Sequence, residues 1–285
     1  MPRLFAATDL SERSRIAEAR AALVAHRKGW TLDLVHALDD EEPEAVLAAH
    51  RRAAEATLAH RAVELSLATG AEIAARIVLG DPAEALAAEA IAEGAAAVVV
   101  GPHRRRLIRD IFEGTTAERV IRAAAVPVLS VHTAPEGGYR RMLLALDGSP
   151  ASAAALAAVR ALGLTAPSDV VALAVADAPE LSMLRRGGAR PAEIDAAAAE
   201  ARRGALDALS AVLPRGGFPC GREAVFDTER TVAEAICAAA DRLGCDLIAL
   251  GTRGLGSVEG LLLGSVASAV LACSRIDVLV APPKA

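Results

Sequence analysis

The chain has 285 residues, a formal net charge of −5 and only 2% aromatic residues. That length exceeds one ordinary domain and leaves room for two of about 140 residues, each with its own core. Charges of both signs are interspersed and one Trp and one Tyr are the only residues of their kind, so the basic, ring-lined surface that nucleic acid requires is missing and nucleic acid is excluded as a partner.

In chain order, the N-terminus meets an acidic residue at Asp9, too early for the apolar region of a signal peptide. Residues 32–37 read as a strand, Gly80-Asp81-Pro82 precedes a helix, and 126–131 read as a late strand of the first half. Residues 133–138 have the composition of a linker. In the second half the order is clearer: strand 142–146, helix 151–162, strand 170–176, long helix 192–213, strand 222–226, helix 231–243, strand 247–250, helix 264–272 and strand 276–280. Short apolar strands alternating with helices signal a parallel sheet buried on both faces. The apolar stretch 261–272 is broken by Gly264, Ser265 and Ser268 and is too short to span a bilayer. A soluble cytoplasmic protein is expected.

The chain also repeats itself. A shift of 150 places Ala83-Glu84-Ala85 on Ala233-Glu234-Ala235, Gly101 on Gly251, Gly114-Thr115 on Gly264-Ser265 and Val128-Leu129 on Val278-Leu279 without a gap. Near the two starts the shift is 138, pairing Asp9 with Asp147 and Ser11 with Ser149. The difference of 12 residues is assigned to an insertion in the second copy at 179–191, read as a loop. The domains are accordingly 1–133 and 139–285, each expected as a doubly wound α/β layer with five parallel strands.

The chemistry concentrates in 251–265. Gly251-Thr252-Arg253-Gly254 follows a strand directly, and Gly264-Ser265 opens the next helix. A helix N-terminus offers unpaired N–H groups and the positive end of the peptide dipole, which suits phosphate. Glycines at 251, 254 and 264 would let the backbone approach it, the Ser265 hydroxyl would donate, and Arg253 would screen charge. Asp147, ending the first strand of this half, falls at the carboxyl edge of the sheet, where open α/β sheets hold ligands. The Gly-Lys-Ser/Thr ending of a P-loop is absent, and Lys28 and Lys284 are the only lysines.

The spacing Gly-x2-Gly-x9-Gly-Ser, behind a first strand ending Ala145-Leu146-Asp147-Gly148-Ser149, resembles the ATP-binding branch of the universal stress protein family, and the resemblance covers both halves. It implies strand order 3-2-1-4-5, with Asp147 beside Gly251 at the switch point. It further implies that Asp147 and Val175 hold adenosine, that Leu250 borders the ribose, and that Gly251, Gly254, Gly264, Ser265 and the backbone of Val266 hold ribose and phosphates. ATP, with Mg²⁺ as its companion, is the implied ligand. The final strands of this family often pair antiparallel between subunits, so 126–131 and 276–280 are expected to pair either within the chain, as a pseudo-dimer, or between chains in a homodimer. The second half departs from the family by carrying Arg230-Thr231-Val232 where Gly-x-Pro is usual; the first half keeps Gly80-Asp81-Pro82.

In the first half, Arg104 takes the place of Gly254. Either His103, Arg104, Arg105, Arg106 and Arg109 clamp an anion with side chains, or they form a solvated loop on a copy that has lost its ligand; charge runs usually face solvent, which favours the second. Ala37 in place of Val175 also weakens any adenine contact. All six histidines lie in the first half without metal-ligand spacing, and the four cysteines show no C-x-x-C pairing and are expected as buried thiols. The implied function is that of a nucleotide-dependent regulator of unidentified protein partner. The alternative is an ATP hydrolase or adenylate-transferring enzyme with Asp147 as metal ligand or base and Arg253 as transition-state stabiliser. The latter lacks the phosphate lysine and metal carboxylates that phosphoryl transfer normally recruits.

Overall fold

The computed structural model describes residues 1–101, 116–164, 169–176, 183–184, 186–213, 220–225, 230–252 and 263–283. The first half runs β1 (Arg3–Ala7), α1 (Ser14–Lys28), β2 (Thr31–Leu38), α2 (Glu44–Thr69), β3 (Glu72–Leu79), α3 (Pro82–Ala92), β4 (Ala97–Val100), α4 (Thr116–Ala123) and β5 (Val128–Ser130). The second runs β6 (Arg141–Ala145), α5 (Pro150–Ala161), β7 (Asp169–Val175), α6 (Pro191–Val212), β8 (Cys220–Val225), α7 (Val232–Leu243), β9 (Leu247–Gly251), α8 (Ser265–Cys273) and β10 (Asp277–Ala281). Of the loop assigned to 179–191, Met183, Leu184 and Arg186 are helical, and 179–182 and Arg185 lie outside the described residues.

Each half has the order 3-2-1-4-5 with parallel pairing, but the two do not form separate sheets. β5 pairs antiparallel with β10, giving one ten-stranded sheet of order β3-β2-β1-β4-β5-β10-β9-β6-β7-β8. The final strands therefore pair within the chain. Leu129 lies opposite Leu279, its counterpart 150 residues on, so a pseudo-twofold axis passes between them.

The strands are apolar on both faces because both faces are covered. Leu4, Ala6, Met142 and Leu144 pack on one face with α1, α2, α5 and α6, through Ala21, Leu58, Leu156 and Leu209. Phe5, Leu143, Leu173 and Val278 pack on the other with α3, α4, α7 and α8, through Leu86, Val120, Ile236 and Val270. Alanine-rich helix faces let these helices approach the sheet closely. Each fully buried leucine contributes about 1.5–3 kcal/mol.

The halves are also joined by a buried polar clasp. Asp277, at the start of β10, is fully buried; it accepts from the N–H groups of His132 (2.8 Å) and Thr133 (3.1 Å), from the Thr133 hydroxyl (3.1 Å) and from the Tyr139 hydroxyl (2.7 Å). Arg20 of α1 brings a guanidinium nitrogen to 3.3 Å from Asp277 and lies over the Tyr139 ring at 4.1 Å. Burial, with the Asp277 charge adding to it, holds the Tyr139 phenol well above its ordinary range. The linker is thus tied to both halves. At shift 150 the counterpart of Asp277 is Pro127, so the first half has no such carboxylate.

One expectation about cysteine is corrected. Cys237 of α7 and Cys273, the last residue of α8, form a disulfide, and Cys273 is exposed rather than buried. The two helices pack side by side, which brings together residues that no local spacing would pair. Cys245 is buried and outside the bridge.

Candidate functional site

β6 lies beside β9 with Leu144 opposite Ala249, so the turns that follow them leave the same carboxyl edge of the sheet. This is the crevice at which strand order 3-2-1-4-5 reverses direction.

Asp147 opens the turn after β6 and is exposed. Its Oδ1 accepts from the Ser149 N–H at 3.0 Å and the Ser152 hydroxyl at 2.6 Å, while its own N–H donates to Ser152 Oγ at 2.9 Å. Ser149 in turn caps α5, accepting from the Ser152 N–H at 3.2 Å. Gly148, between them, has φ +84, a conformation that glycine adopts without strain. Val175, at the end of the neighbouring β7, is half-buried, and Leu250 is buried in β9.

Gly251 is demanded by the fold itself. A Cβ there would stand 2.5 Å from the Cβ of Ala151, 2.6 Å from its carbonyl carbon and 2.7 Å from its carbonyl oxygen. The absent side chain accommodates the first turn of α5, which brings that helix, and the Asp147 turn before it, against β9. Packing therefore requires a glycine here in its own right, beside the expected role of letting the backbone approach phosphate.

Thr252 closes the base of the loop. Its N–H donates to Ala281 O at 3.0 Å, and its carbonyl accepts from the Gly264 N–H at 2.7 Å. Its hydroxyl is buried and finds no hydrogen-bond partner among the described residues. Sequence reasoning passed over Thr252; its position between Gly251 and the loop was the one available signal. Arg253 and Gly254 lie outside the described residues.

Gly264 is the N-cap residue of α8 and supplies no side-chain cap. The N–H groups of Ser265, Val266 and Ala267 have no partner within the helix, and Ser265 and Val266 are exposed. The helix starts at α3 and α7 differ: Asp81 caps α3, accepting from Ala83 and Glu84 N–H groups, and Thr231 caps α7 in a capping box with Glu234. The Arg230-Thr231-Val232 departure thus substitutes one capping chemistry for another at the same position. Ser268, one turn into α8, hydrogen-bonds Glu118 of α4 across the pseudo-twofold axis.

The first half builds its corresponding turn otherwise. Leu10, the counterpart of Gly148, is held at φ +58. Arg61 of α2 donates to Leu10 O at 2.6 Å and pairs with Glu18 at 2.6 Å, and Glu18 also accepts from Thr8 at 2.5 Å and Ser14 at 3.0 Å. Glu18 and Arg61 are both buried. Burial raises the Asp9 carboxyl, but hydrogen bonds from Ser11 and Ser14 and the nearby Arg13 charge together hold it below the usual range. Gly101 is less crowded than Gly251: a Cβ added there would come no nearer than 3.5 Å, to Ser14 Cα. His103, Arg104, Arg105, Arg106, Arg109, Gly114 and Thr115 lie outside the described residues. Of the histidines, His36 Nδ1 contacts Thr8 O at 2.8 Å and His50 pairs with Glu42 at 2.7 Å; no cluster of metal-ligating side chains occurs among the described residues. No described helix is long and apolar enough to cross a membrane.

A sequence model of the universal stress protein family matches residues 1–132 and again 138–282. The chain is 28% identical over 196 residues to universal stress protein Rv2005c of Mycobacterium tuberculosis, a match that covers 67% of this chain and 63% of that relative. A crystal structure of a universal stress protein from Archaeoglobus fulgidus superimposes with a TM-score of 0.70 at 19% identity, covering 99% of this chain and 96% of that one. The functionally unknown protein PA1789 of Pseudomonas aeruginosa does so with 0.63 at 20% identity, covering 100% and 93%. With both halves matched by one family model and a fold shared along the whole length, the chain belongs to the universal stress protein family, as two tandem copies.

Proposed function

We propose that the protein is an ATP-binding, nucleotide-dependent regulator of the cytoplasmic stress response, with one competent site per chain in domain 139–285 and a silent counterpart in domain 1–133. The observation that carries this reading is the α8 N-terminus. It is capped by a glycine alone, reached through a loop whose base is closed by the Thr252–Gly264 hydrogen bond, and set beside the Asp147 turn at the edge where β6 and β9 meet. Three helix N–H groups with no intrahelical partner suit phosphate oxygens, and the buried Thr252 hydroxyl is a further donor inside the same loop. On this reading Ser265 and the Val266 backbone hold phosphates with Gly251, Arg253, Gly254 and Gly264, Leu250 borders the ribose, and Asp147 and Val175 face the adenosine. Mg²⁺ would arrive with the phosphates, which supply hard oxygen ligands for it. Because β5 and β10 are already paired within the chain, a homodimer would use another surface.

The test is release and identification. Freshly purified protein is heat-treated, the supernatant is analysed by mass spectrometry, and the stripped protein is titrated with ATP. Adenine nucleotide in the supernatant and a saturable ATP isotherm, both lost in Ser265→Arg, are expected. An empty supernatant with no isotherm would refute the reading. Multiple-turnover phosphate release abolished by the same substitution would instead identify an enzyme.

A further inference from the structure

The disulfide stands in a particular place. Cys237 lies on α7 and Cys273 ends α8, with Cα atoms 6.9 Å apart and a separation of 36 positions in sequence. The ring of chain they close therefore contains β9, the whole of 251–264 and all of α8. α8 is nine residues long, about 13 Å, with the candidate phosphate-binding N–H groups at one end and the bridge at the other. Cys273 is exposed and Cys237 half-buried, so small thiols and disulfides in solution reach the pair.

The repeat supplies an independent observation. At shift 150 the two positions are Ala87 on α3 and Ala123 on α4. Those helices pack against each other without sulfur, so the fold does not depend on the bridge. Both cysteines occur in the copy that keeps the full glycine spacing, and neither occurs at the equivalent positions of the copy that has lost it.

The geometry points to Cys237 and Cys273 as a thiol–disulfide modification site that takes low-molecular-weight disulfides as its oxidant and sets the affinity of the α8 N-terminus for nucleotide. The second part rests on the nucleotide reading above. In the oxidising direction, the Cys273 thiolate attacks one sulfur of the small disulfide, forms a mixed disulfide and expels one thiolate. The Cys237 thiolate then attacks the Cys273 sulfur and expels the second. The protein loses two protons and two electrons, and the small disulfide becomes two thiols. Closing the ring restrains α8 against α7 and β9, so its N–H groups are already arranged when phosphate arrives, and the oxidised form binds more tightly.

The experiment uses the full chain, fully reduced or treated with oxidised glutathione, beside Cys237→Ala/Cys273→Ala, which reproduces the first copy. Oxidation should remove two thiols by Ellman titration without adding mass from glutathione. It should slow amide hydrogen exchange across 265–273 and tighten ATP binding by about 5-fold or more. The double variant should show none of these changes. A stable glutathione adduct in place of the internal bridge, or a bridge that leaves both exchange and affinity unchanged, would overturn the proposal. Slowed exchange on oxidation with no ATP binding in either state would uphold the redox site and refute the nucleotide reading alone.

Discussion

Gly251→Ala tests whether this glycine serves packing or ligand approach. The new methyl would stand 2.5–2.7 Å from three atoms of Ala151, two of them main-chain. Carbon atoms prefer about 3.5–4.0 Å, so α5 or β9 must move by about 1 Å. Neither moves freely: β9 is paired on one side with β6 and on the other with β10, and the start of α5 is fixed by the Ser149 cap and the Asp147 turn. Overpacking of this kind costs about 1–3 kcal/mol. The control is built into the chain. At Gly101 the same methyl meets Ser14 Cα at 3.5 Å and Ala17 Cβ at 3.6 Å, ordinary contact, and Gly101→Ala should stay within about 0.5–1 kcal/mol of the parent. Thermal denaturation without nucleotide separates the two, each kcal/mol shifting Tm by about 2–4 °C. Equal shifts for both substitutions would refute the packing argument. Unchanged stability with lost ATP binding in Gly251→Ala would make phosphate approach, not packing, the reason for the glycine.

Asp277→Ala should destabilise the whole chain by about 3–5 kcal/mol in urea denaturation, because it leaves buried Arg20 without its counter-charge and the linker N–H groups without an acceptor. Arg61→Ala should cost a similar amount by stranding buried Glu18, whereas Glu18→Leu/Arg61→Leu should cost less than either single change, as measured in a double-mutant cycle. His132 is held below its ordinary value by burial, opposed by the Asp277 charge. Its unfolded form therefore takes up a proton first, so its contribution to stability is present above about pH 6.5 and is lost as pH falls from there toward the folded value. In His132→Asn that part of the stability–pH profile should flatten.

How much of this could be read from the residues depended on how local the signal was. Strands such as β6 and β9, and the start of α8 after Gly264, follow from apolar runs and glycine spacing, and the repeat doubled each observation. The order 3-2-1-4-5 came from the family resemblance. The contacts that join distant segments were not legible. Arg61 and Glu18 are 43 residues apart, Asp277 and Tyr139 are 138 apart, and Cys237 and Cys273 meet because α7 and α8 lie side by side. Nor was the reason for Gly251 readable, since it requires knowing that α5 crosses directly over β9. Tyr139, noted in the sequence as the single tyrosine, proved to be an anchor of the linker.

The pseudo-twofold axis explains why one chain carries both copies. At a true dyad, identical positions face one another, and a glutamate there would meet its own like charge. Here the facing pair one turn into α4 and α8 is Glu118 with Ser268, positions 150 apart that are equivalent by the repeat and hydrogen-bond because they differ. The same divergence runs outward from the axis: Asp277 against Pro127, Gly148 against Leu10, Leu156 against Glu18, Cys273 against Ala123. At the turn after the first strand, the first half adds internal fixation, where Arg61 reaches under the turn and holds Leu10 at positive φ. The second half leaves the corresponding Asp147 turn exposed, with Gly148 at its positive φ. Tandem fusion allows this division, because a symmetric pair of identical chains would have to compromise between a locked turn and an open one at every copy.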